Sequence, residues 1–150
     1  MGSFQDSTKL LKLFGWVLIS TFLLSFHSHL SAEQRIVRGP YEIHYTAIPS
    51  TLIPARVAAK HGLVRSANRI ITNIAIRTAD RSVSAVITGT AENILNQLQP
   101  LNFLEVIEQD TVYYLAEQII NEKDRIRYTI HIQPVGSEET YELAFQRQYF

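Results

Sequence analysis

From residue 41 onward, apolar side chains recur at every second position, the period that sets one face of a strand against a core. Tyr41, Ile43 and Tyr45 alternate with Glu42, His44 and Thr46, which predicts a half-buried first strand. Between Asn68 and Thr78 both faces are apolar, with Ile70, Ile74 and Ile76 on one and Ile71 and Ala75 on the other. That pattern predicts a strand covered on both sides or central in its sheet. Further strands are expected through Val83, Ala85 and Ile87, over 101–108, over 111–120, through Ile126 to Ile132, and from Tyr141 to Tyr149. Turn-forming residues separate them at Ala79-Asp80-Arg81-Ser82, Glu108-Gln109-Asp110 and Pro134-Val135-Gly136-Ser137. Seven such runs predict an all-β, seven-stranded antiparallel immunoglobulin-like sandwich, with a partly open barrel as the other closure.

Two windows read as helical instead. Pro54 to His61 opens on proline, carries Val57, Ala58 and Ala59, and is followed by Gly62. Ala91 to Leu98 places Ile94, Leu95 and Leu98 on one helical face before Pro100. One or two short helices are therefore expected, lying across an open end of the sandwich.

The first 32 residues follow a different rule. Leu13 to Phe26 is free of charge, Lys9 and Lys12 precede it, and the small residues Ser31 and Ala32 follow. This is the order of a secretory signal peptide. As a helix the stretch is about 21 Å long, short of the roughly 30 Å hydrocarbon core of a bilayer, so a stable membrane span is disfavoured. The expected division is a signal peptide over 1–32, cleaved after Ala32, and one sandwich domain over 33–150. Retention as an N-terminal anchor is the alternative. Asp6 stands where a myristoylation motif wants Ser or Thr.

Composition narrows the class. With 46% apolar and 19% charged residues, the 150-residue chain has ordinary globular usage. Its 14 basic and 14 acidic residues leave no basic excess for nucleic acid. There is no cysteine, hence no disulfide framework, thiolate metal site or lipoprotein anchor. No Asn-x-Ser/Thr sequon occurs either. An exported domain of this kind fits a bacterial periplasm and must hold together by its core.

Charge is unevenly placed. Residues 33–81 carry eight basic and three acidic side chains, whereas 82–150 carry four and ten. Arg56, Lys60, Arg65 and Arg69 crowd the stretch before the second strand, with His61 and Ser66 among them. One reading is an anion site for a lipid head group, a cell-wall carboxylate or an acidic partner. The other pairs these cations with Glu105, Glu108 and Asp110 across the sheet. Tyr113 and Tyr114 are adjacent, so one ring faces the core and the other faces out, where it has Tyr41, Tyr45 and Tyr128 as possible companions.

Sequence motifs for catalysis are absent: no Gly-x-Ser-x-Gly elbow, no phosphate loop, no His-Glu-x-x-His. His44 and His131 both fall on polar strand faces, which leaves two readings, solvated histidines or a metal pair bridging a sheet. His61 ends a short helix, where a cation suits the negative dipole end. Glu105 and Glu108 lie three apart on a strand and face opposite ways, so they do not form a carboxylate pair.

The residues Tyr41-x-Ile43-His44-Tyr45-x-Ala47, Gly62-Leu63-x-Arg65-Ser66, Asn73-Ile74-Ala75-Ile76, Gly89-x-Ala91-x-Asn93, Gln97-Leu98-x-Pro100-Leu101 and Tyr113-Tyr114-Leu115 together resemble the domain of unknown function 4426 family. The resemblance covers most of 38–150. It implies an exported, periplasmic protein, mostly of gammaproteobacteria, and brings no enzyme activity and no cofactor. The polar pieces it points to are His44-Tyr45 and Arg65-Ser66-x-Asn68, which with Arg69 make the candidate binding residues. Two functions stay open. One is a non-enzymatic binding or protein-interaction module of the cell envelope, taking an envelope protein or an anionic ligand. The other is a small periplasmic hydrolase or metal-dependent enzyme using His44 and His131.

Overall fold

The computed structural model describes residues 34–121 and 123–149; the signal peptide expected over 1–32 lies outside them. Strands β1 (Gln34–Arg38), β2 (Tyr41–Pro49), β3 (Arg69–Arg77), β4 (Ala85–Glu92), β5 (Leu98–Pro100), β6 (Leu104–Glu108), β7 (Thr111–Ile119), β8 (Arg125–Pro134) and β9 (Tyr141–Gln148) form two antiparallel sheets. The larger runs β1-β2-β3-β7-β6 and the smaller β5-β4-β8-β9. The orders β2-β3-β7-β6 and β4-β8-β9 are the A-B-E-D and C-F-G orders of an immunoglobulin-type sandwich. These are the seven strands the alternation predicts. β1 and β5 are additions at the edges.

Burial follows the two-residue period. Ile43, Ile70, Ile74 and Ile76 of the larger sheet meet Tyr128, Ile130 and Ile132 of the smaller, all at 0% exposure. Each buried aliphatic side chain stabilises the fold by roughly 1.5–3 kcal/mol. Tyrosines tie the layers together: the Tyr114 hydroxyl accepts the Ala85 amide at 2.7 Å and donates to Glu105 at 2.6 Å. Burial, reinforced by the Glu105 carboxylate, raises the Tyr114 pKa.

Two expectations are corrected. The window 91–98 is not a helix: β4 runs into it, residues 93–97 turn, and β5 returns. The Asn93 side chain accepts the Leu95 and Gln97 amides, both at 2.9 Å, and so competes with helical hydrogen bonds. Helix α1 (Ala55–Lys60) does form, but against the outer face of the larger sheet rather than across an open end. Gly62 terminates it at φ +67°, with Leu63 N–H returning to Ala58 and Gly62 N–H to Ala59. This placement explains why outward-facing Ile71 is only 1% exposed. Among the described residues, no helix is long and apolar enough to cross a membrane.

Candidate functional site

The segment between β2 and β3 is a flap closed at its neck by one side chain. Ser50 is fully buried; its hydroxyl donates to Ser66 O at 3.0 Å and accepts Ser66 N–H at 2.9 Å. A buried hydroxyl with both roles filled costs nothing in lost solvation and pins the two ends of the flap together. Arg65 reinforces the neck by donating to Thr51 O at 2.8 Å, and the Ser66 hydroxyl also reaches Asn68 at 2.6 Å. Arg65, Ser66 and Asn68 therefore come together at the neck, and what they hold is the flap.

The basic cluster meets acidic partners from across the sheet. Lys60 Nζ and His61 Nε2 both contact Glu108 Oε1, at 2.5 and 2.8 Å. The Lys60 hydrogen bond, followed by that of His61, holds the Glu108 carboxyl below its ordinary pKa. Arg69 donates to Glu117 Oε2 at 2.9 Å, while Val64 N–H takes Oε1 of the same carboxylate at 2.8 Å. Of the three acids expected to pair, Glu108 alone does so among the described residues. Glu105 instead accepts from Tyr114, and Glu117 is the partner the alternation does not single out.

Between flap and sheet lies an apolar cleft of about 200 Å³. Ile71 and Leu115 line the sheet side, Ile53, Val57 and Leu63 the flap side, and Tyr113 is the outward ring of the tyrosine pair. His61 and Glu108 also line it. Asn73 differs from the other polar groups of the lining. Its Oδ1 is buried and, among the described residues, has no hydrogen-bond partner. The signal was present in the sequence, as one amide within a run of isoleucines, but its meaning depends on the flap above it.

The remaining candidates separate. Tyr45 points inward at 9% exposure, with its ring 4.7 Å from Phe145, so it belongs to the core. His44 faces out from the larger sheet, with Nε2 3.4 Å from Glu42 Oε2. His131 lies between Ile130 and Ile132, both at 0% exposure, and so faces out from the smaller sheet. The two imidazoles occupy opposite outer faces of the sandwich. They do not form the metal pair that strand alternation permits, and among the described residues no group of three His, Asp or Glu side chains is placed to hold a metal ion. His61 and Glu108 adjoin each other, but neither hydroxyl lining the cleft, on Thr46 or Tyr113, is hydrogen-bonded to His61. A nucleophile–base–orienter arrangement is not built there.

The family described as Domain of unknown function (DUF4426) matches residues 36–150. A crystal structure of a DUF4426 family protein from Pseudomonas aeruginosa PAO1 is similar at TM-score 0.72 and 28% identity, covering 81% of this chain and 97% of that one. FetP of uropathogenic Escherichia coli strain F11, recombinantly expressed in the periplasm of E. coli, is similar at TM-score 0.54 and 12% identity, covering 79% of this chain and 93% of that one. A copper-bound variant of FetP gives TM-score 0.54, 12% identity, and coverage of 79% and 90%. At that identity the likeness to FetP is one of fold alone. No curated protein matches the chain.

Proposed function

Because the chain belongs to the domain of unknown function 4426 family, which carries a fold and no assigned activity, we propose that it is a non-enzymatic binding module of the bacterial cell envelope. It is exported to the periplasm by the apolar leader over 13–26 and takes an apolar side chain of an envelope protein into the cleft beneath α1. The observation that carries this reading is the pairing of an apolar cleft with one buried, unpartnered acceptor, Asn73 Oδ1. An apolar side chain entering it gains burial, and a backbone N–H of the same partner, brought in beside that side chain, can satisfy an atom whose isolation is costly. An anionic ligand has less to recommend it, since Lys60 and Arg69 already spend their charge on Glu108 and Glu117.

The test is site-specific photo-crosslinking in living cells. A photoreactive side chain replaces exposed Arg56 on α1, or His131 on the opposite face as a control, and the osmotic-shock fraction is analysed by mass spectrometry. A discrete envelope-protein adduct from position 56, absent from 131 and lost when Val57→Trp fills the cleft, is expected. Identical adducts from both positions, none from 56, or an adduct indifferent to Val57→Trp would overturn the proposal.

A further inference from the structure

A second pocket, of about 260 Å³, opens where the ends of β4, β5 and β7 meet the start of β8. Its character is opposite to that of the cleft. Five carboxamides line it, from Asn93, Gln97, Gln99, Gln118 and Asn121, together with the carboxylate of Asp124. Among the described residues no lysine or arginine does.

Two of these groups are nine-tenths buried or more. Gln118 is 2% exposed, on the inward row of β7, and its Oε1 is buried with no hydrogen-bond partner among the described residues. Asp124 is 3% exposed; its Oδ1 accepts the Arg125 amide at 2.8 Å, and among the described residues it makes no ion pair. An inward-facing glutamine at the end of a strand would be replaced at no loss by leucine if packing were its only task. An amide buried there without a partner loses its water and gains nothing within the protein, at a cost a ligand can remove.

We infer that this pocket is a binding site for a neutral polyhydroxylated ligand the size of one sugar ring. Gln118 Oε1 lacks a donor that the occupant can supply and the Asp124 carboxylate accepts donors as well, while carboxamide NH₂ groups call for acceptors. Hydroxyl groups are both at once, which matches a wall of carboxamides. The volume lies just below the roughly 300–1,000 Å³ of sites for drug-sized ligands, and so suits a single ring. Leu98 and Ile119, 66% and 54% exposed, stand at the same pocket and offer an apolar surface to the C–H face of such a ring. A hard cation fits worse: among the described residues it would find one carboxylate where six to eight oxygen ligands are wanted, and amide hydrogens beside it. Asn93 meanwhile holds the hairpin in shape, donating to Gln97 Oε1 at 2.7 Å, which leaves the Gln97 NH₂ available.

The experiment is a titration of ¹⁵N-labelled protein with glucose and with N-acetylglucosamine, following the side-chain amide signals. Saturable shifts centred on Gln118, Gln99 and Asn121 are expected with at least one of the sugars. Gln118→Leu should weaken binding about tenfold or more, with the backbone spectrum otherwise preserved. Should that variant not fold, Asn121→Ala at an exposed position and Gln99→Ala at a half-buried one carry the same expectation. The inference is overturned if neither sugar shifts these amides at its solubility limit, or if the variants bind as the parent does. It is equally overturned if Ca²⁺ alone produces the shifts. Because Val57 and Asn73 lie outside this pocket, Val57→Trp should leave the titration unchanged, which separates failure here from failure of the cleft.

Discussion

The hydroxyl chain Tyr128–Tyr149–Ala47 joins the two sheets through the core, and removing its middle atom tests whether it holds them. Tyr149 donates to Ala47 O at 3.3 Å, which leaves the Tyr128 hydroxyl to donate to Tyr149 at 2.8 Å. Tyr128 is completely buried and Tyr149 is 8% exposed. Tyr149→Phe keeps the ring, so no cavity forms, but it breaks both bonds and strands the Tyr128 hydroxyl. Each bond contributes about 0.5–1.5 kcal/mol net, and a stranded buried donor costs about 1–3 kcal/mol. The buried hydroxyl of Thr72, which makes no hydrogen bond among the described residues, offers that donor a second acceptor. The expected loss is therefore about 2 kcal/mol, a fall in Tm of roughly 6–12 °C for a domain of this size. Urea unfolding of residues 33–150 at pH 7 reads it, with an unchanged slope. In the double variant Tyr128→Phe/Tyr149→Phe no tyrosine hydroxyl of the chain is stranded, so its loss should undercut the sum of the single losses by about 1 kcal/mol. Alkaline pH supplies an independent reading. Burial pushes the Tyr149 pKa up to about 12 from an ordinary 10.0. The native state thus keeps a proton the unfolded chain gives up, and stability falls as pH rises from 10 towards 12; Tyr149 contributes about 3 kcal/mol of that fall, and the raised Tyr128 and Tyr114 add to it. Tyr149→Phe should flatten that decline. A single variant within 0.5 kcal/mol of the parent, together with an additive cycle, would refute the reasoning.

On the acid side the sign reverses. The Glu108 carboxyl is held below its ordinary 4.5 by Lys60 and His61, so its contribution is present above about pH 4.5 and is lost as pH falls through the native value. Glu108→Gln should accordingly be less stable than the parent at neutral pH, with the two melting curves converging under acid; curves that stay parallel would count against the ion cluster. Gly89→Ala places a methyl group 2.9 Å from Ile130 Cγ1 and 3.0 Å from the Thr129 backbone oxygen. The backbone oxygen cannot swing aside, so a loss of about 1–3 kcal/mol is expected by thermal unfolding, and an unchanged Tm would show that β4 and β8 are less closely apposed.

What the sequence determined was local. Seven alternating runs could be read because the two-residue period is written in consecutive residues, and a core of isoleucines leaves little choice of face. Pro54 and Gly62 bounded α1 for the same reason, since each acts through its own φ. Ile71 and Ala75 even announced a cover on the second face of β3. The second helical window failed because Asn93 offers its side chain to the backbone it precedes, a competition that the spacing of Ile94, Leu95 and Leu98 does not reveal. β1 went unseen: its Gln-Arg-Ile-Val-Arg run has no clean alternation, and as an edge strand it needs none.

Tertiary structure decided everything that depends on which strand lies beside which. Arg69 and Glu117 are 48 residues apart and meet only because β3 and β7 are neighbours in the sheet. His44 and His131 have the same look in sequence, polar positions between buried ones, yet they sit on opposite faces because β2 and β8 belong to different sheets. Tyr45 is next to His44 in the chain and on the other side of the sheet. The cleft under α1 and the carboxamide pocket are each assembled from segments remote in sequence, so no window of the chain contains either. Periodicity tells a side chain which way to face. Only the register and order of the strands tell it what it will find there.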